Sequence, residues 1–301
     1  MTIVELTSQQ LTADQQRAVL ELDDRFRRDH GREGLVEQAR FALVAGDPAI
    51  HLLSFERDDL TGYAQVTLSE RDAIVEFLGS SPSSDLIDAA VHVARRADRA
   101  PALWLHGLDV SASDPFGSAF VVDRSILRLH RSTSGVATPT LPPGFSIRPF
   151  EMGFDDEAWL ALNARSFAEL PDQGSWGPHD LEQRFGAAWF DPDGFLVLES
   201  NSQMIGFCWT KVHDEEPEAI GEIYVIGVDP EQAGQGLGRS LVEAGIAHLA
   251  ARAIHDVILY VDADNAAARR LYDHLGFDTK WVDELFVANN YALVPTRRPI
   301  P

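Results

Sequence analysis

The chain has 301 residues, 45% of them hydrophobic, which is room for one large or two medium globular domains. Its 25 basic and 47 acidic residues leave a formal net charge of -22, which repels nucleic acid and anionic membranes and favours a neutral or cationic small substrate. The single Cys208 excludes an intrachain disulfide, and no apolar run approaches the ~18 residues of a membrane span.

In chain order, apolar spacing predicts helices over 12–30 and 34–45, strands over 50–56, 62–68 and 73–78, and a helix over 85–97. Strands over 103–107 and 125–130 follow. The stretch STSGVATPTLPPG at 132–144 is uncharged and rich in Pro, Ser, Thr and Gly, so it reads as an extended linker. Beyond it come a strand over 145–150, helices over 155–167 and 179–190, and strands over 195–199, 204–213 and 221–228. The polar turn at 200–203 makes a hairpin of the first two of these strands. A helix over 237–252 carries Leu237, Leu241, Ile246 and Leu249 along one face. A strand over 257–261 and a helix over 265–275 come next, the helix stopped by Gly276. Two short strands over 277–279 and 285–289 are expected to close the sheet. The fold class expected is α/β with mixed sheets in an α+β arrangement. The two halves follow one order of elements and read as diverged copies, 1–131 and 145–301, about the linker.

Acidity is uneven. Residues 1–143 hold 14 bases against 21 acids, and residues 144–301 hold 11 against 26. An acidic surface that aids solubility is the plainer reading of this excess. A polyanionic cofactor would have to be held by local geometry instead of bulk charge. The N-terminus, MTIVELTSQQLTADQQ, lacks the basic and then apolar layout of a secretory signal, and with one cysteine the expected setting is cytoplasmic. No metal, no nucleic acid and no membrane partner is expected, and a monomer is.

The most informative stretch is GEIYVIGVDPEQAGQGLGR, Gly221 to Arg239. A hydrophobic strand enters a turn with Gly234, Gly236 and Gly238, and a helix starts there. Glycine admits positive φ and close ligand approach. The first amides of a helix lack internal partners and sit at the positive end of its dipole, so a pyrophosphate fits there. A P-loop is excluded, because Arg239-Ser240 stands where Lys and Ser or Thr are needed. The glycine spacing is G-x-G-x-G and not G-x-G-x-x-G, yet Asp262 after the next strand keeps a dinucleotide site open. A tight strand-to-helix turn without a ligand also stays open.

The stretch resembles the main cofactor motif of the GNAT superfamily of acetyltransferases. Downstream, DNAAARRLYDHLGF at 264–277 resembles that family's second cofactor segment. The resemblance implies an N-acetyltransferase using acetyl-CoA as co-substrate. It assigns the cofactor to Ile226, Gly227 and Val228, to Ala233, Gly234, Gln235, Gly236, Leu237, Gly238 and Arg239, and to Asn265, Ala266, Ala267, Ala268, Arg269 and Arg270. One departure is Ala233, where the family usually has Gln or Arg; Gln232 stands one place early. Backbone amides make part of that contact, and Ala233 still supplies its own.

Acetyl transfer to an amine needs a base, an oxyanion donor and a proton for the leaving thiolate. Glu222, which opens the strand leading into the turn, is the candidate base, directly or through a water. Tyr272, seven residues after Asn265 and on the same helix face, is the candidate acid. A backbone N–H within 226–228 is the candidate oxyanion donor. Neutralising an α-amine of pKa about 8 near pH 7 costs about 1.4 kcal/mol, against roughly 4.6 kcal/mol for a lysine amine at about 10.4, so a modest base suits an α-amine. His213, His255 and His274 read as surface histidines, and Cys208 as core. Lys211, one of two lysines, reads either as solvated or as a holder of a hydroxyl-rich or anionic group.

The resemblance sharpens in FAELPDQGSW (167–176), AWFDPDG (188–194), WTKVH (209–213) and GEIYV (221–225). These are similar to the mycothiol synthase family, tandem GNAT enzymes that acetylate the cysteinyl amine of a cysteine–glucosamine–inositol conjugate. The resemblance implies Glu222 as base, Tyr272 as acid, and substrate contacts from Glu222, Asp172, Lys211 and Tyr260. Asp172 stands where the family can have Glu. Glu37 resembles a contact from the first half, which aligns loosely. There, GSSPSSD at 79–85 has no G-x-G turn, so this half is expected to bind acetyl-CoA poorly or not at all and to shape the substrate site. The alternatives are another GNAT enzyme acting on protein N-termini or small amines, and a non-catalytic CoA-binding module.

Overall fold

Short apolar-polar alternations build mixed parallel and antiparallel β-sheet, with helices laid on it. The computed structural model describes residues 2–30, 34–108, 116–214 and 219–289. Two compact units result. The first is Met1–Arg128 with Asp262–Asn265 and Thr279–Pro301; the second is Leu129–Val261 with Ala266–Asp278.

The first unit contains β1 (Thr2–Thr7), α1 (Ala13–His30), α2 (Glu37–Ala45), β2 (Ile50–Glu56), β3 (Asp59–Leu68), β4 (Asp72–Phe77), α3 (Ser84–Arg96) and β5 (Ala100–Leu108). Next, β6 (Phe120–Ser132) runs on into the second unit. Strands β1 to β4 pair antiparallel in succession, and β4 pairs parallel with β5. In β4 the alternate residues Ala73, Val75 and Phe77 are buried and join Leu86, Ala90 and Val93 of α3 in one core cluster. A second cluster joins Val19 of α1 and Ala39 and Leu43 of α2 to Leu53 and Tyr63.

The second unit contains β7 (Phe145–Pro149), α4 (Asp156–Ser166), α5 (Pro171–Gly174), α6 (Pro178–Phe185), β8 (Phe195–Ser200), β9 (Gln203–His213), β10 (Ile220–Val228), α7 (Leu237–Ala251), β11 (Asp256–Asp262) and α8 (Ala266–His274). Strands β7 to β10 pair antiparallel, and β10 pairs parallel with β11. One face of β9 sends Phe207 and Trp209 into an aromatic core. There Trp209 stacks on Phe195 with centroids 4.1 Å apart and meets Trp159 of α4 edge-on at 5.9 Å. The opposite face, with Cys208 and Thr210, and Ile223 of β10 lie against Gly245 of α7.

Three expectations change. β1 and α5 were not foreseen; at four residues α5 is too short for a helical period to register. The helix expected over 179–190 ends at Phe185, with Gly186 as its C-cap. The two short strands expected near the end are one, β12 (Asp278–Ala288), and its partner is β5 of the first unit. Val282 and Phe286 of β12 belong to the core cluster under α3. Alternation marks a strand but does not name its partner.

Candidate active site

The site begins where two parallel strands part. β10 and β11 pair only from Ile220↔Asp256 to Ile223↔Leu259, although β10 runs to Val228 and β11 to Asp262. At the same point the register of β10 with β9 shifts between Ile223 and Val225, so Tyr224 is the extra residue of a β-bulge. A bulge bends its strand and re-aims side chains. Beyond it, one edge of β10 turns its backbone groups toward the fork, where an extended ligand can take the place of a strand.

Glu222 lies just before the fork and is only 6% exposed. A buried carboxylate needs partners. His213 Nε2 stands 2.7 Å from Glu222 Oε2 across the β9–β10 ladder. Lys211, the direct register partner of Glu222, is likewise buried at 5% exposure. Its Nζ lies 5.1 Å from the centre of the Trp189 ring and 5.4 Å from that of Tyr224, within cation–π range. The Tyr224 hydroxyl accepts from Arg184 Nε at 2.6 Å, and the Arg184 guanidinium covers Trp176 at 3.5 Å. This acidic chain thus buries one cation, Lys211, beside its candidate base and a second, Arg184, against Tyr224.

The glycine-rich turn is fixed from below by Asp229. Its Oδ1 accepts from the Glu231 N–H at 3.0 Å, and its Oδ2 from Arg165 Nη2 at 2.8 Å. The Arg165 bond, opposed by burial and helped by the Glu231 amide, holds this carboxyl below its ordinary range. Gly234 and Gly236 take φ of +80° and +78°, a region where other residues are strained. Gly236 is the N-cap of α7, and no side chain caps the helix. Its first amides remain for an anion or water. Arg239 reaches along the helix to Glu243 at 2.8 Å. In the first unit the corresponding helix differs: Ser83 caps α3, accepting from the Leu86 N–H at 3.3 Å.

Tyr272 is buried on α8 and meets Phe277 edge-on at 5.7 Å. Burial, with a smaller contribution from the Cys208 sulfur, raises its hydroxyl well above the ordinary phenol range. The phenol therefore stays protonated as a donor. Burial pushes the Cys208 thiol up to about 12, so it is a neutral core group and not a nucleophile.

Ile226, Gly227 and Val228 form the end of β10, and Ala233 links the Pro230–Gln232 turn to Gly234. Gln235 donates to Gln232 at 2.9 Å, and Leu237 and Gly238 open α7. Asn265 immediately precedes α8, whose first five residues are Ala266, Ala267, Ala268, Arg269 and Arg270. Tyr260 is 42% exposed on β11. Glu37 opens α2 in the first unit. Asp172 falls in α5, but its side chain lies outside the described residues. His255 and His274 are exposed, as expected, whereas His213 is half-buried on Glu222. Sequence reasoning also missed Tyr224 and Arg184. Alternation along WTKVH puts Lys211 and His213 on one face, but only the register with β10 shows which residue they meet. Among the described residues no helix is long and apolar enough to cross a membrane, and no group of three or more His, Cys, Asp or Glu is arranged to hold a metal.

Residues 158–277 match the model of the acetyltransferase (GNAT) family. The mycothiol acetyltransferase of Thermobispora bispora is 42% identical over 288 residues, covering 91% of this chain and 96% of the relative. That of Streptomyces griseus is 38% identical and covers 92% of each. Among solved structures, a tandem GNAT protein from the clavulanic acid biosynthesis pathway superposes with a TM-score of 0.67 at 15% identity, over 95% of this chain and 97% of its own. A GCN5-related N-acetyltransferase from Sphaerobacter thermophilus gives 0.63 at 17% identity over 95% of both chains. At those identities the likeness is one of fold.

Proposed function

Because the chain belongs to the mycothiol acetyltransferase family of GNAT enzymes, we propose that it moves the acetyl group of acetyl-CoA to the cysteinyl amine of desacetylmycothiol. The observation that carries the mechanism is the fork between β10 and β11, with Glu222 on the last paired stretch of β10. The cofactor's diphosphate is assigned to the uncapped start of α7 and residues 233–239, and its further contacts to 265–270. Acetyl-CoA supplies the activated acyl group as a thioester. The remaining steps belong to this chain.

Glu222 takes a proton from the substrate amine, directly or through water, and so prepares it for attack. An N–H within 226–228 stabilises the oxyanion that develops on the acyl carbon. Tyr272 gives a proton to the departing sulfur, and the second proton of the attacking nitrogen, passed through water, restores the phenol. Lys211, Tyr260 and Asp172 are assigned to the sugar hydroxyls of the substrate. The α-amine of a cysteinyl group suits this arrangement, because a modest base is enough to neutralise it.

The test is acetylation of desacetylmycothiol against N-terminal peptides, read by mass spectrometry of the amide product. The conjugate should be the preferred substrate. The double variant Glu222→Gln, Tyr272→Phe should bind acetyl-CoA in calorimetry yet lose about 100-fold or more in kcat. Wild-type turnover by that variant overturns the two roles. Equal turnover of peptides points to a broader GNAT activity, and binding without turnover by the wild type to a CoA-binding module.

A further inference from the structure

The geometry points to His213 as the positioning residue of the acetyl transfer, the group that aims the Glu222 carboxylate. This inference rests on the reading of Glu222 as the base.

A carboxylate offers two oxygens that can rotate, and only one can face the amine productively. His213 sits on β9 diagonally across from Glu222, since Ile220↔His213 and Glu222↔Lys211 are successive same-face pairs of the ladder. Its Nε2 lies 2.7 Å from Oε2, and the two side chains are 13% and 8% exposed. Against an ionised carboxylate the imidazole nitrogen must be the donor. In so dry a place a charge-assisted bond of that length fixes the rotamer of both groups. Oε2 is thereby held by His213, and Oε1 becomes the oxygen that takes the amine proton. The proton leaves the substrate ammonium, resides on Oε1 and departs to water. No bond to carbon or sulfur forms at His213, and the proton count of the transfer is unchanged.

Other charged groups on the neighbouring elements are engaged in contacts of their own. Lys211 lies beside Glu222 on β9 and is wrapped by Trp189 and Tyr224. From α6, Arg184 is bound to the Tyr224 hydroxyl. On β11, Asp256 pairs in register with Ile220, but its Oδ1 is taken by His130 Nε2 at 2.8 Å. A merely structural histidine joining two strands would not need to be placed on the carboxylate that stands at the fork.

The experiment compares His213→Ala, His213→Asn, His213→Gln and Glu222→Gln in the full chain by steady-state kinetics, with thermal melting alongside. His213→Ala should lower kcat about tenfold or more and leave KM for acetyl-CoA unchanged. His213→Gln, whose amide can donate to the same oxygen, should recover most of kcat at pH 8. If His213→Ala does not fold, His213→Asn decides alone: its shorter amide falls short of the Glu222 oxygen, so it should keep the lowered kcat that His213→Gln recovers. Wild-type kcat in His213→Ala or His213→Asn overturns the inference, as does a lowered melting temperature with unchanged turnover per folded molecule. Turnover surviving in Glu222→Gln overturns the reading of the base itself. An inactive Glu222→Gln beside fully active His213 variants overturns only the role of His213.

Discussion

His106 of β5 stands between two carboxylates of the first unit: its Nε2 is 2.6 Å from Glu76 Oε2, and its Nδ1 is 3.3 Å from Asp283 Oδ2. Burial alone would lower its basicity, but the attraction of Glu76 and Asp283 outweighs burial and pushes it up to about 10. Relative to an unfolded histidine near 6.5, the folded state holds the extra proton. The stability this supplies is full below about pH 6.5 and is lost as pH rises through about 10. Urea unfolding at pH 6, 8 and 10 should therefore show the wild type losing stability with rising pH more steeply than His106→Gln. Equal slopes would mean that the imidazole is not charged in the fold. At this scale the sequence was partly legible. Glu222 could be singled out as a candidate because it stands near the start of the strand that enters the glycine turn. His213 could not, because its meaning depends on a strand register that alternation along one strand does not contain.

Among elements, the turn before α7 was the most legible, since three glycines at alternate positions between a strand and a helix leave few physical readings. What the sequence could not separate is why each glycine is there. Gly236 has φ of +78°, so an alanine there is strained by about 1–2 kcal/mol whatever binds. Gly238 is helical, and a Cβ on it would meet only Leu271 Cδ2 at 3.6 Å, an ordinary contact. Gly238→Ala should thus melt at or above the wild-type temperature, because alanine is the better helix former by about 1 kcal/mol. If the cofactor's backbone passes over that position, the same variant should bind acetyl-CoA about tenfold more weakly or worse by calorimetry, the effect of one lost close contact with a phosphate. Gly236→Ala should show the reverse order, with a clear loss in melting temperature. Unchanged affinity in Gly238→Ala would move the ligand off the helix start.

For the molecule as a whole, the tandem plan could be read from the repeated order of elements, but the identity of the last strand's partner could not. Strand pairing across so much sequence is decided by which edge a hydrophobic strand can cover, not by local propensity. Phe286 of β12 is 1% exposed, lies opposite Leu103 of β5 and meets Phe116 edge-on at 4.8 Å. Phe286→Ala should cost about 3–5 kcal/mol by cavity formation. Native-state hydrogen exchange should find the loss in β4 and β5, whose amides should open more readily than those of β8 and β9. Protection reduced equally in all four strands would contradict this localisation.

The same strand bears on how the protein is made. Translation delivers β1 through β5 first, yet the edge of β5 meets its neighbour only after residues 278–288 have left the ribosome. The first unit to be synthesised is therefore the last to be completed. Until then its nascent sheet carries an open hydrophobic border, the kind of surface that chaperones hold and that neighbouring nascent chains can capture.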